Sequence, residues 1–432
     1  MAEYHIKGGK KLSGRIDATA GKNAPIALLL AALMVKGQVV LNNLTEVEEV
    51  GRILEILESI GVKFQLNGQG QIRLDTSGQI DITKINRLAC EETRASLLLF
   101  GALAARVKNY RLYKSGGCKL GARTIRPHTL ALQKLGVVIL SREKYYEVKT
   151  QTLAGTKVVM YESGDTPTEN VIMAAVLAPG TTTISFASAN YMVQELCYFL
   201  HAAGAKISGI GTTTLVIEGV KSLRPKVAYS ITPDPVDAMA WISLAIATKS
   251  RLVIGRCPLP FLDLELEKLR VMGQKFIIRR EYLSDNGQIP LVDIECVPGK
   301  LHALPDKLYG RPFPGLNIDN VPLFLPILTQ ARGRTLVHDW CYENRAVYYL
   351  ELKKLGANVL LLDSHRALVE GPTPLIGNEI VCPPALRPAM AILIGMLAAK
   401  GDSILRDCYT LERGYDRLVE RLSAVGAKIT RI

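Results

Sequence analysis

A short phrase recurs six times along this chain, and nothing else in the sequence constrains the fold as tightly. An apolar pair or a small residue leads into a glycine, and a stretch rich in β-branched residues follows. It reads Ser59-Ile60-Gly61-Val62-Lys63-Phe64, Lys134-Leu135-Gly136-Val137-Val138 and Ala203-Gly204-Ala205-Lys206-Ile207. It returns as Met272-Gly273-Gln274-Lys275-Phe276, Leu355-Gly356-Ala357-Asn358-Val359 and Val425-Gly426-Ala427-Lys428-Ile429. A phrase that comes back at intervals of roughly seventy residues is the mark of a repeat architecture. An amphipathic helix such as 50–59 precedes the glycine, which suits the left-handed cap that ends a helix before a strand.

A second marker lies upstream in the repeats: an apolar helix, a turn, then a strand. Helices are predicted at 26–35, 96–105, 171–178, 240–247, 321–329 and 389–399, with Gly37, Gly180, Gly333 and Gly401 among the turns. They carry almost no polar face, and a helix apolar all round is buried on all sides. The pattern predicts an α/β (α+β) fold in which each unit puts one helix inside and a small sheet outside. Three units make a domain with three parallel interior helices. These helices start beside Lys22-Asn23, Thr93-Arg94, Thr168-Glu169-Asn170, Pro233-Asp234, Asp319-Asn320 and Leu386-Arg387. Parallel helices add their dipoles and present unpaired N–H groups at one end, which suits anions. Two domains with such ends facing predict an electropositive cleft. Capping accounts for the Asp, Thr and Asn residues. It does not account for Lys22, Arg94 and Arg387, because a cation at a helix N-terminus is unfavourable without an anion nearby.

The 432 residues suffice for two or three domains, and the formal charge of +13 asks for an anionic partner. Nucleic acid is a poor fit. The basic residues form no run, aromatics are 6% of the chain, and neither zinc-finger spacing nor a stacking pattern appears. Small phosphorylated substrates suit the charge, and so does a merely solvated basic surface. The chain opens on the polar Met1-Ala2-Glu3-Tyr4, and its longest apolar run, 26–35, is about half a membrane span. The expectation is a cytoplasmic protein with no membrane insertion. Eight scattered cysteines make no C-x-x-C pair and no cluster with histidine, which predicts free thiols and no metal. No Walker loop is present, and Gly68-Gln69-Gly70 is too weak a pattern to imply a cofactor.

The most unusual local segment is Lys114-Ser115-Gly116-Gly117-Cys118-Lys119-Leu120-Gly121-Ala122-Arg123. Its three glycines predict a loop. Lys114, Lys119 and Arg123 surround the thiol with positive charge, which favours thiolate. The piece Gly116-Gly117-Cys118-x-x-Gly121-Ala122-Arg123 resembles the catalytic loop of the enolpyruvyl transferases that act on UDP-N-acetylglucosamine at the entry to peptidoglycan synthesis. Ala20-Gly21-Lys22-Asn23-Ala24, Thr93-Arg94-Ala95-Ser96, Tyr342-Glu343-Asn344-Arg345 and Glu412-Arg413-Gly414-Tyr415 resemble that family's other motifs, in its order.

The resemblance spans essentially the whole chain and implies the family's two-domain inside-out α/β barrel of six βαβαββ repeats. One domain would be 22–231, carrying a lid loop at 114–123. The other would be 1–21 with 232–432, and the active site would lie in the cleft between them. The implied reaction moves the enolpyruvyl group of phosphoenolpyruvate to a substrate hydroxyl with release of phosphate. By that likeness Cys118 is the general acid, open to epoxides such as fosfomycin, and Asp319 is the base for the hydroxyl. Lys22, Arg123 and Arg413 form the phosphate and transition-state clamp. Arg94 and Arg387 are further anion ligands, and Asn23, Arg94, Asp319 and Arg345 serve the acceptor. No metal, nicotinamide or flavin is implied.

The chain departs from the family on the acceptor side. Thr124-Ile125-Arg126 stands where the family has Pro, a hydrophobe and Asp, and Gly164-Asp165-Thr166-Pro167 replaces Ser-Val-Gly-Ala. Asn190-Tyr191-Met192 replaces Glu-Pro-Glu, Gly315-Leu316-Asn317-Ile318-Asp319 replaces Gly-Phe-Pro-Thr-Asp, and Ala385 replaces an acid. These changes keep two alternatives open. One is a paralogue that uses UMP in a nucleoside-antibiotic pathway, with Arg126 meeting a terminal phosphate. The other is a non-catalytic nucleotide-sugar-binding protein. The shikimate-pathway relative fits less well, because Glu91-Glu92-Thr93-Arg94-Ala95-Ser96 stands where that enzyme has Gly-Asn-Ala-Gly-Thr.

Overall fold

In the computed structural model, which describes residues 2–115 and 124–432, the six phrase glycines all take left-handed backbone. Gly61, Gly136, Gly204, Gly273, Gly356 and Gly426 have φ of 99°, 98°, 99°, 95°, 87° and 93°. In five repeats the N–H after the glycine reaches the carbonyl five residues back. The pairs are Val62 to Leu57, Ala205 to Leu200, Gln274 to Leu269, Ala357 to Leu352 and Ala427 to Leu422. That bond satisfies a carbonyl the helix end would otherwise orphan and turns the chain into the next strand.

The described chain forms two compact units, 22–115 with 124–232, and 2–21 with 233–432. In the second unit the interior helices are Pro235–Ala247, Val321–Leu328 and Leu386–Ala398, and each touches the other two. All thirteen residues of Pro235–Ala247 and all eight of Val321–Leu328 are buried, as their all-round apolarity requires. Each crosses between two parallel strands of its own outer sheet: Ser13–Asp17 to Arg251–Pro258, Leu308–Tyr309 to Gly333–His338, and Glu379–Val381 to Gly401–Arg406. An antiparallel pair completes each four-stranded sheet. The last sheet is closed by the N-terminal strand Tyr4–Gly8, which pairs with both Gly401–Arg406 and Lys428–Arg431.

The first unit repeats the plan with interior helices Asn23–Ala31 and Asp165–Val176 and one irregular element between them. Its first sheet takes its edge strand, Lys226–Ser230, from the far end of the unit. The second repeat departs from βαβαββ, for its sheet has three strands, Asn109–Tyr113, Tyr145–Thr150 and Val137–Ser141. Where the missing strand would run, Asp81 accepts from the Thr83 N–H and Asn86 from the Ala89 N–H. Those local caps start the turn Ile82–Lys84 and the helix Arg87–Glu92 instead of a ladder.

The interior helix expected at 96–105 is also corrected. It is a 3₁₀ segment, Arg94–Leu98, followed by the short helix Leu99–Ala102. Asn170 of the neighbouring helix is the cause. Its Oδ1 accepts from the Gly101 N–H at 2.6 Å and its Nδ2 donates to the Leu97 carbonyl at 3.0 Å. The amide thus stands in the rung that Gly101 and Leu97 would make with each other in an α-helix. Gly101 is required, since a Cβ there would lie 2.3 Å from the Asn170 carbonyl oxygen. Replacing Asn170 by Leu strands both backbone groups, and urea unfolding should show a loss of about 2–4 kcal/mol. A change within experimental error would remove Asn170 as the cause of the break.

The segment Thr168-Glu169-Asn170, expected at the start of the third interior helix, lies inside it, because the helix begins at Asp165 after Gly164. Glu169 is therefore buried, and burial pushes its carboxyl up to about 8, with Asp165 adding to the shift. The folded protein holds that proton above pH 4.5 while the unfolded chain releases it, so stability falls as pH rises from 4.5 to about 8. Glu169→Gln should flatten that part of the stability profile in denaturant titrations at several pH values. An unchanged slope would contradict the assignment.

Candidate active site

In the second unit the starts of the three interior helices gather around Tyr415 and Asp319. Arg387, from the first turn of Leu386–Ala398, donates from Nη1 to the Tyr415 hydroxyl at 3.1 Å, and its Nε lies 3.5 Å from Asp319 Oδ2. Asp319 immediately precedes the cap of Val321–Leu328. Asp234 caps Pro235–Ala247 through the Val236 N–H. Burial pushes the Tyr415 hydroxyl up to about 12, with Arg387 opposing and the Asp237 and Asp234 charges adding. Gly414 brings the segment that carries half-buried Arg413 against the Leu386 side chain, beside Arg387.

The motif Tyr342-Glu343-Asn344-Arg345 earns its residue types from geometry. Asn344 is left-handed at φ 60°, a conformation that Asn tolerates better than most residues, and it starts the 3₁₀ helix Arg345–Leu355. The Arg345 guanidinium lies 4.4 Å over the Tyr342 ring. It is 1% exposed, gives two bonds to Asp339 at 2.5 and 2.7 Å and one to the Ile318 carbonyl at 2.5 Å, and faces Asp319 Oδ1 at 3.4 Å. Arg345 was expected to serve the acceptor. The structure places its Nη1 3.4 Å from Oδ1 of Asp319, the residue that the likeness also assigns to the acceptor.

In the first unit Lys22 Nζ meets Glu49 Oε2 at 2.7 Å, and the other oxygen of Glu49 accepts from the Thr93 hydroxyl at 3.1 Å. Arg94 Nη2 donates to the Thr124 carbonyl at 3.1 Å, and Asn23 Nδ2 lies 3.3 Å from the Tyr191 hydroxyl. Burial, with Arg94 adding, pushes His128 down to about 3, so its imidazole stays neutral beside Asn170. The preceding Gly21 is left-handed at φ 61°, and a Cβ on it would lie 2.2 Å from Asp234 Oδ2. Only glycine fits there.

Thus Lys22, Asn23 and Arg94 stand at helix starts of one unit, and Asp319, Arg345 and Arg387 gather in the other, with Arg413 next to the Gly414 that packs on Leu386. Cys118 and Arg123, with Lys119, lie outside the described residues. The anion that Lys22 and Arg387 require is partly the protein's own, Glu49 for one and Asp319 for the other. Sequence reasoning missed Glu49, Asp339, Tyr349 and Tyr415 as partners. Glu49 lies in the first turn of the helix Glu48–Ser59, where the dipole explains an acid without a lysine. Among the described residues no group of three or more His, Cys, Asp or Glu side chains could hold a metal ion, and no helix is long and apolar enough to cross a membrane.

The model of the EPSP synthase (3-phosphoshikimate 1-carboxyvinyltransferase) family matches residues 6–422. A UDP-N-acetylglucosamine 1-carboxyvinyltransferase of Treponema denticola is 35% identical over 99% of both chains. One from Bacteroides fragilis is 31% identical over the full length of both. Among solved structures, the enolpyruvyl transferase NikO of Streptomyces tendae superposes with a TM-score of 0.85 at 23% identity, covering 100% of this chain and 99% of that one. EPSP synthase of Acinetobacter baumannii gives 0.76 at 17%, covering both chains fully. These two likenesses show that the fold is shared from end to end.

Proposed function

The chain belongs to the EPSP synthase family of enolpyruvyl (1-carboxyvinyl) transferases, and from that premise we propose that its acceptor is UDP-N-acetylglucosamine. The observation that carries the proposal is full-length similarity, at 31–35% identity, to proteins named for that acceptor. The step would open peptidoglycan synthesis in the cytoplasm.

In the proposed reaction an acceptor hydroxyl oxygen bonds to carbon two of phosphoenolpyruvate while carbon three takes a proton. The hydroxyl proton passes to Asp319, and the Cys118 thiol supplies the proton for carbon three. Cleavage of the bond from carbon two to the phosphate oxygen releases inorganic phosphate. Loss of a proton from carbon three restores the double bond. Lys22, Arg94, Arg123, Arg387 and Arg413 compensate the phosphate and carboxylate charge as the adduct forms. Asn23 orients the acceptor. Asp319 suits the base role because its carboxylate is part-exposed and is oriented by two guanidinium groups at 3.4 and 3.5 Å.

The test is phosphate release from phosphoenolpyruvate with UDP-N-acetylglucosamine, UMP or shikimate 3-phosphate offered in turn. Release with the nucleotide sugar supports the proposal. Release with UMP alone would transfer the assignment to a nucleoside-monophosphate acceptor, for which Arg126 offers a charge. Release with none would leave a binding protein.

A further inference from the structure

We propose that Asp339 is a positioning residue that sets the basicity of Asp319 through Arg345; the proposal rests on Asp319 being the base. Four charged side chains alternate in sign through the core of the second unit: Asp339, Arg345, Asp319 and Arg387. The contacts are uneven. Arg345 binds Asp339 through two bonds of 2.5 and 2.7 Å, but approaches Asp319 only at 3.4 Å. Asp339 and Arg345 are 2% and 1% exposed, so water screens this pair little. The Tyr349 hydroxyl, also buried, donates to Asp339 Oδ2.

The uneven distances have a chemical use. A carboxylate in a full ion pair with arginine is a poor base, because a nearby cation holds it ionised. Asp339 takes most of the Arg345 charge, so Asp319 is oriented by the guanidinium without being locked to it. Arg387 also faces Asp319, with Tyr415 behind it. Glu265 binds the adjacent Asn317 N–H and Asn320 Nδ2. Around Asp339 are Arg345, Tyr349 and His365, whose Nδ1 lies 3.2 Å from the Asp339 carbonyl oxygen. Asp339 holds Arg345 directly, and Tyr349 reaches it through Asp339.

Two substitutions should move the pH profile in opposite directions. Asp339→Asn frees the Arg345 charge for Asp319, which becomes a weaker base. The acid limb of kcat should move down by about one pH unit and kcat should fall about tenfold, with the KM for phosphoenolpyruvate within about twofold of wild type. Tyr349→Phe removes a donor from Asp339, which then holds Arg345 more strongly. The acid limb should move up by a few tenths of a unit, on the order of one lost neutral hydrogen bond. A merely structural role would lower the yield of folded protein and leave the limb in place. Limbs at the wild-type pH, or shifts of the same sign, would overturn the proposal. If Asp339→Asn does not fold, the sign of the Tyr349→Phe shift decides alone. The parent reading fails by a different result, retained activity in Asp319→Asn.

Discussion

Asp319→Asn should lower kcat by about 10²–10⁴-fold, the range that loss of a general base commonly gives. The substitution is nearly isosteric. The Asn amide still offers an oxygen to one guanidinium, so Arg345 and Arg387 keep their places, but it has no basic site for the hydroxyl proton. The Asp319 carboxylate is partly open to solvent. Its side chain is 23% exposed, and Arg345 and Arg387 face its two oxygens at 3.4 and 3.5 Å. Steady-state kinetics should show the loss in kcat, with the KM for phosphoenolpyruvate changed far less. Wild-type turnover would remove Asp319 from the chemistry and leave it as the counter-charge of two buried arginines.

The second large effect concerns Cys118. Cys118→Ser should lose activity by a factor on the order of 10²–10⁴, because a hydroxyl is a far weaker acid than a thiol. Cys118→Asp should keep a substantial part of it, since a carboxylic acid still donates a proton. The same thiol should be alkylated by an epoxide such as fosfomycin, and peptide mass mapping should find the adduct on Cys118. The mapping is discriminating. Six of the seven described cysteines are buried, and burial pushes Cys90 and Cys408 up to about 12, so they are poor nucleophiles. Cys341 is the exposed competitor. Full activity in Cys118→Ser, or an adduct confined to Cys341, would contradict the general-acid role.

What the sequence made legible follows from how local each cause is. The capping glycines could be read because a left-handed residue before a strand is a local demand, and all six phrase glycines meet it. The interior helices could be read because apolarity on every face has one structural solution, as in Pro235–Ala247. The second interior helix could not. Its break depends on Asn170, whose amide arrives from a helix 69 residues further on. The site divides the same way. Its cations were visible as unfavourable charges at helix starts and through motif likeness. Glu49 and Asp339 carry no such mark, for their roles exist only once the fold brings Lys22 and Arg345 against them.

Enolpyruvyl transfer to the nucleotide sugar is tested most directly by following both products at once. The full chain, incubated with phosphoenolpyruvate and UDP-N-acetylglucosamine, should release phosphate in step with the appearance of a carboxyvinyl ether on the sugar nucleotide, detected by its mass. Equal amounts of the two are the predicted result. Phosphate without the ether, or an ether formed on another acceptor while UDP-N-acetylglucosamine stays unchanged, would contradict it.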